Sequence, residues 1–348
     1  MGSIIDQALD ILRDTAPEYG KGFSNHAPMA AEALLALGRE EAIISWVEKY
    51  KRRLPAFPAV REIIERERWQ EALGDIRRFA DWALFFEEEL NAAPWSSVLS
   101  TWVPRLLPGM VGAAFHGIIR TGHAVRNLSN EETEQRRREL AAGLAYWASR
   151  YQTLPGIITG RQAELKPTEA LSRVESLPAD KRVWHGLIFE KVQGLQGFDP
   201  FREVINLVDT SIDIDSFFSD LFEAAARVYL ANARDTGSII TFIHAVTGPG
   251  AVQLLAPFLA PDTLRIALSY SWQAAAGIYA AIGMETDNNP YEAADDKAGI
   301  DELVNLAVAT GDEHAFKFME VCLRAYKLEP KPLFLVAARH AAERLRRP

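Results

Sequence analysis

The chain has 348 residues, 48% of them hydrophobic and 24% charged, with a formal net charge of −9 and a sequence pI near 5.4. These are the values of a soluble globular protein long enough for one large domain or two ordinary ones, and the acidic balance argues against a nucleic-acid or anionic-membrane partner. Cys322 is the only cysteine, which excludes an intrachain disulfide and any thiolate-rich zinc or iron–sulfur site.

From the N-terminus, MGSIIDQALDILRD is acidic and amphipathic, not basic and then apolar, so it lacks the pattern of a secretory signal. FSNHAPMAAEALLALG predicts a helix with Ser24 or Asn25 as N-cap, Pro28 in the first turn and Gly38 at the stop. His26 then sits in the first turn, where the helix dipole disfavours the imidazolium slightly; neutral imidazole is the form that binds metal. EEAIISWVEKY, LAAGLAYWASRY, SFFSDLFEAAARVYLANA and DELVNLAVATG repeat apolar residues every three or four positions, as helices do. No pair of alternating β-branched runs is joined by Asn-Gly or Asp-Gly, so no hairpin is predicted. Breaks fall at LPAFPA (54–59), LPG (107–109), LPGIITG (154–160), KPTE (166–169), FDPF (198–201), TGPG (247–250) and NNPY (288–291). The expected fold is all-α, one continuous domain over residues 1–348 with roughly fourteen to fifteen helices; a split near residues 155–167 is the alternative. The runs Lys51-Arg52-Arg53 and Arg136-Arg137-Arg138 read as solvated helix faces. The longest apolar stretches, AFHGII and AAAGIYAAIGM, are too short to span a bilayer, and a cytoplasmic location is expected.

Chemistry, if present, is carried by histidine. FHGIIRTGHAVR places His116 and His123 seven residues apart. On a helix that spacing returns to nearly the same face about 10.5 Å further along. His244 lies in the apolar stretch TFIHAVTGPGA before a Gly-Pro-Gly break, where a buried imidazole needs a partner. His314 and Lys317, three apart in GDEHAFKFMEV, share a helix face among Ala315, Phe316, Phe318 and Met319. A lysine buried there tends to lose its proton. His185 and His340 are set aside, the latter as a surface residue of a basic terminal helix. Cys322 is expected to pack, not to ligate. Arg120 and Arg126 pair with helix-borne carboxylates or, for Arg120, hold an anionic substrate oxygen catalytically. Trp102, Phe115, Trp272 and Tyr279 are core residues or the walls of a flat apolar pocket.

The stretches SNHAPMAAEALLALGREEAI, FHGIIRTGHAVR, FIHAVTGPGAV and GDEHAFKFMEVCLRAY, in this order from residue 24 to about 326, resemble the questin oxidase-like proteins. These are fungal and bacterial enzymes associated with oxidation of aromatic polyketides such as anthraquinones. The resemblance implies an all-helical oxygenase that uses O2, by Baeyer–Villiger-type insertion or ring cleavage. It also implies a non-haem iron held by histidines and a carboxylated lysine. By motif the ligands are His26, His116, His123 and Lys317, with His314 or His244 as a further histidine. Some members use a nicotinamide reductant such as NADPH. Neither GKGFSN nor GPGAVQ completes GxGxxG, so a built-in dinucleotide domain is not expected and NADPH use stays open. Imidazole also suits copper, nickel and zinc, and none of the histidine motifs brings an obvious carboxylate ligand. A zinc-dependent hydrolase and a non-catalytic helical scaffold or binding protein with structural histidines are the other readings. Substrate identity and oligomeric state are not legible.

Overall fold

The computed structural model describes residues 2–160, 163–285 and 299–346. The expected break NNPY at 288–291 lies outside the described residues. Among them the chain forms fifteen α-helices, short 3-10 turns and one two-residue hairpin, in agreement with the all-α expectation. The chain divides into two compact units. The first comprises Met1–Thr153 with Ala251–Leu264, and the second Leu154–Gly250 with Arg265–Pro348.

In the first unit, α1 (Ile4–Leu12) is capped by Ser3, whose hydroxyl accepts from the Asp6 amide, and it buries Ile5, Ala8, Leu9 and Leu12 at helical spacing. A hairpin of β1 (Glu18–Tyr19) and β2 (Phe23–Ser24) follows. It turns on Gly20 and Gly22 at φ +58° and +100°, so GKG, not Asn-Gly, supplies the left-handed backbone. This corrects the expectation of no hairpin. α2 (Ala27–Ala36) is N-capped positionally by His26, not Ser24 or Asn25. The Asn25 side-chain carbonyl still accepts from the Ala27 amide at 3.0 Å, in an Asx turn one residue early. Gly38, at φ +68°, ends the helix as expected. α3 (Glu40–Lys51), α4 (Phe79–Ala92) and α5 (Trp95–Leu106) precede α6 (His116–Asn130) and α7 (Glu134–Ser149).

α7 packs along both α4 and α6, and small residues set the approach. A Cβ on Gly117 would lie 2.4 Å from the Trp147 Cα, and one on Gly143 would lie 3.0 Å from the Thr121 amide nitrogen. Gly117 therefore lets two helix backbones close on each other; it does not loosen α6. Trp102 packs against Trp82, Phe85 and Phe86 as core. The basic run at 136–138 is not a uniformly solvated face. Arg136 is buried, with Nε donating to Asp6 at 2.9 Å and Nη1 to the Asn127 carbonyl at 2.9 Å. Asp6 on α1 supplies the counter-charge that permits this burial.

The second unit holds α8 (Pro167–Leu171), α9 (Ile188–Gln193) and α10 (Ile214–Asn232), then most of α11 (Thr236–Leu255) and α12 (Pro261–Ile282). It closes with α13 (Ile300–Ala309), α14 (Glu313–Leu328) and α15 (Pro332–Leu345). KPTE is a helix start, with Pro167 as the first residue of α8. TGPG is not a break: α11 runs through Pro249. Proline removes the bond to the Ala245 carbonyl, but Ile243, Ala245, Val246, Ala251 and Val252 are all buried, and packing on both sides of the proline holds the helix. Among the described residues one stretch, Thr236–Phe258, is long and apolar enough to cross a membrane, with 78% of its most apolar window buried inside the protein. The expectation that no apolar stretch reaches that length is thus corrected. His340 is half-buried, with Nδ1 2.9 Å from the Tyr229 hydroxyl, so it is not a plain surface histidine; His185 is exposed.

Candidate metal-binding imidazoles

The helix predicted from FHGIIRTGHAVR is α6, and His116 is its first residue. The backbone delivering it is unusual. Ala113, Ala114 and Phe115 all have positive φ, at 47°, 54° and 67°, and all are buried. Each such non-glycine residue costs on the order of 1 kcal/mol or more. The turn is held from outside: Gly112 lies so close to the Arg150 carbonyl that an added Cβ would sit 1.7 Å from its oxygen. What the turn achieves is local. It brings the Ala113 carbonyl to 2.5 Å from the Nδ1 of His116. A carbonyl only accepts, so Nδ1 carries the proton and the neutral ring has its lone pair on Nε2.

His26 joins His116. Their ring centroids are 4.4 Å apart with planes at 77°, and both residues are about 5% exposed. The His26 amide donates to the Tyr50 hydroxyl at 3.1 Å, which ties the start of α2 to α3.

His123, two turns along α6, has a different environment. Its Nδ1 meets a carboxylate oxygen of Glu32 on α2, and Arg126 grips both oxygens of that carboxylate at 2.5 Å. Burial acts to raise the Glu32 pKa, but Arg126 and His123 together outweigh it and hold the carboxylate below its ordinary range. A carboxylate on one imidazole nitrogen is the arrangement that orients the other toward a metal. The sequence reading missed Glu32. Its signal was there: a lone carboxylate among Met29, Ala30, Ala31, Ala33 and Leu34, all fully buried.

Arg120 forms a buried bidentate pair with Glu139 of α7, Nε to Oε1 at 2.6 Å and Nη2 to Oε2 at 2.7 Å. Both arginines thus pair with helix-borne carboxylates.

In the second unit, His244, His314 and Lys317 come together. His244 donates from Nδ1 to the Ile240 carbonyl one turn back, at 2.6 Å. Asp312 caps α14 by accepting from the His314 amide at 2.9 Å, and the same oxygen lies 3.0 Å from His314 Nδ1. The two rings have centroids 5.7 Å apart. Lys317, one turn beyond His314, is 1% exposed. Burial pulls its pKa down from 10.5 to about 8 against the opposing pull of Glu313 and Asp312. Burial, then His314 and Lys317, push the His244 imidazolium well below its ordinary range, so His244 is neutral. Gly250 permits this close packing of α11 on α14, since a Cβ there would lie 2.9 Å from Val321. Cys322 is fully buried, and burial raises its thiol pKa. Trp272 is core, its indole donating to the Val204 carbonyl at 2.7 Å.

Among the described residues no group of three or more His, Cys, Asp and Glu side chains is gathered as one metal shell. The structure supplies imidazole pairs, one with a buried lysine beside it, and at His116, His123, His244 and His314 a carbonyl or carboxylate meets Nδ1. That donor chemistry suits a borderline divalent transition metal. No curated protein matches the chain. The sequence model of the family described as Questin oxidase-like matches residues 23–322, which include all of these histidines and Lys317, and the chain therefore belongs to the questin oxidase-like family.

Proposed function

We propose that this protein is a cytoplasmic, metal-dependent oxygenase that oxidises an aromatic, polyketide-like substrate with O2. The metal, Fe(II) in this reading, takes its ligands either from His26, His116 and His123 of the first unit or from His244, His314 and a carboxylated Lys317 of the second. The observation that carries the reading is the tautomer that four imidazoles share. An acceptor at each Nδ1 fixes the tautomer and leaves Nε2 as the basic nitrogen. Bound iron would supply the one-electron chemistry that O2 needs to react with a closed-shell organic molecule.

The protein's own groups do the rest. Glu32 and Arg126 hold His123 in place, and Ala113 holds His116. Burial lowers the Lys317 pKa to about 8, which brings the neutral amine within reach near neutral pH. That amine adds to CO2: a C–N bond forms as one C=O π bond of CO2 breaks with its pair moving to oxygen, the nitrogen gives up one proton, and the carbamate oxygen becomes an anionic donor. Lys317 is 1% exposed, so water has little access to it.

The test is metal analysis of tag-free protein together with O2 uptake on a hydroxylated anthraquinone, with and without NADPH. One equivalent of iron and substrate-dependent O2 uptake are expected. If the first unit holds the metal, His116→Ala and His123→Ala should each lose it while the far-UV helical signal persists; if the second unit holds it, His314→Ala should. Metal-free wild-type protein would favour the scaffold reading, and zinc with oxygen-independent turnover would favour a hydrolase.

A further inference from the structure

Two segments far apart in sequence deliver the imidazole pair of the first unit. His26 follows the hairpin of β1 and β2, and His116 follows the left-handed turn Ala113–Phe115. The C-terminal end of α7 meets both. Tyr146 and Arg150, four residues apart there, lie on one side of its last turn. Arg150 grips the Glu18 carboxylate in a bidentate pair, Nε to Oε1 at 2.7 Å and Nη2 to Oε2 at 2.6 Å. Tyr146 donates its hydroxyl proton to the same Oε1 at 2.9 Å, and the Ser24 hydroxyl lies 2.7 Å from the Tyr146 oxygen. A phenol has one proton, so Ser24 is the donor in that contact. Burial, then the Glu18 charge, holds the Tyr146 phenol well above its ordinary range, and it stays a donor. Both strands are thus tied to α7, β1 through Glu18 and β2 through Ser24, two residues before His26.

The backbone of Arg150 meets the other segment. Its carbonyl oxygen would lie 1.7 Å from a Cβ on Gly112, and Met110 pairs with Gln152 in a parallel bridge. Residues 150–152 therefore run beside residues 110–112, directly before the turn. Arg150 is the C-cap of α7, and the last carbonyls of a helix have no partner within it, so this one is free to face another segment. Three buried residues at positive φ do not hold themselves. The Arg150 carbonyl bounds the turn that brings the Ala113 carbonyl to His116 Nδ1.

We infer that Arg150 is a positioning residue for both imidazoles of the His26–His116 pair, its side chain fixing the strand that leads into His26 and its carbonyl the turn that leads into His116. Glu18 then acts on His116 at second hand: losing its grip on Arg150 frees the end of α7, and with it the turn. The bearing on catalysis rests on the reading of these two histidines as metal ligands; the positioning itself does not.

The experiment is a two-bond proton–nitrogen NMR spectrum of the EDTA-dialysed full chain with labelled histidine, which reads the tautomer of each imidazole. Wild type should show His116 as the single Nδ1–H form. Glu18→Gln and Arg150→Met should shift both His26 and His116 and give His116 a mixed-tautomer pattern, with His244 and His314 unmoved. Arg150→Lys, which keeps a cation on Glu18, should shift them less. Circular dichroism checks the fold of each variant, and Glu18→Gln, which keeps the shape of the side chain, decides the matter if Arg150→Met does not fold. A side chain that only pinned the hairpin would leave the His116 tautomer alone. A lowered melting temperature with the His116 pattern unchanged, or equal displacement of all four histidines, would therefore overturn the assignment. Cobalt titration of the same samples keeps the metal reading separate. Wild type should bind cobalt, and Glu18→Gln about tenfold more weakly; a wild type that binds none would refute the metal site and leave the positioning standing on the NMR result.

Discussion

Replacing Lys317 by methionine removes a buried ammonium and keeps a flexible apolar side chain of similar length. The drop in the lysine pKa from 10.5 to about 8 corresponds to about 3 kcal/mol of folded-state penalty on the charged form. Because the folded pKa lies below the unfolded one, the folded chain binds fewer protons between pH 8 and 10.5 than the unfolded chain. The penalty is therefore fully present below pH 8 and fades as pH rises through that window. Metal-free Lys317→Met should be more stable than metal-free wild type by about 3 kcal/mol at pH 7, and the gap should close towards pH 10.5. Urea unfolding of both proteins at matched pH values measures this, and other titrating groups cancel in the difference. A gap independent of pH would refute the reasoning, since it would mean that Lys317 folds in with an ordinary pKa. Lys317→Arg is the companion variant. Guanidinium does not deprotonate, so it should be less stable than wild type throughout and should not restore metal binding.

Glu32→Gln should destabilise the protein by about 3 kcal/mol, because Arg126 and His123 lose the charge they share. The Glu32 pKa is depressed, so its stabilisation is present above the ordinary carboxylate range and lost as pH falls through the folded pKa. The difference between wild type and variant should shrink in acid urea titrations. Ala114→Gly relieves a residue at φ 54° and should raise stability by about 1 kcal/mol in urea unfolding, whereas Ala114→Val should lower it. Cys322→Ser should keep its metal content, since Cys322 is fully buried packing on α14; loss of metal on elemental analysis would contradict that.

The helices and the family signature were written locally. Apolar residues at three- and four-residue spacing, Gly38 and the His116–His123 interval need no knowledge of distant chain, because helix propensity and end signals act over one or two turns. Lys317 belongs with them: its apolar helix neighbours already announced burial. Other features depended on partners far away in sequence. Pro249 reads as a break until buried residues on either side hold α11 together. Arg136 reads as a solvated charge until Asp6, 130 positions earlier, meets it. Glu32 is one acid among many until α6 brings His123 and Arg126 against it from 91 and 94 residues away. The left-handed turn at Ala113–Phe115 carries no sequence mark, since alanine and phenylalanine disfavour that backbone, and the close contact of Gly112 with Arg150 supports it from outside. Local sequence sets which backbone is cheap, and tertiary packing decides which buried charges and strained turns are compensated, because that energy comes from groups the local sequence does not contain.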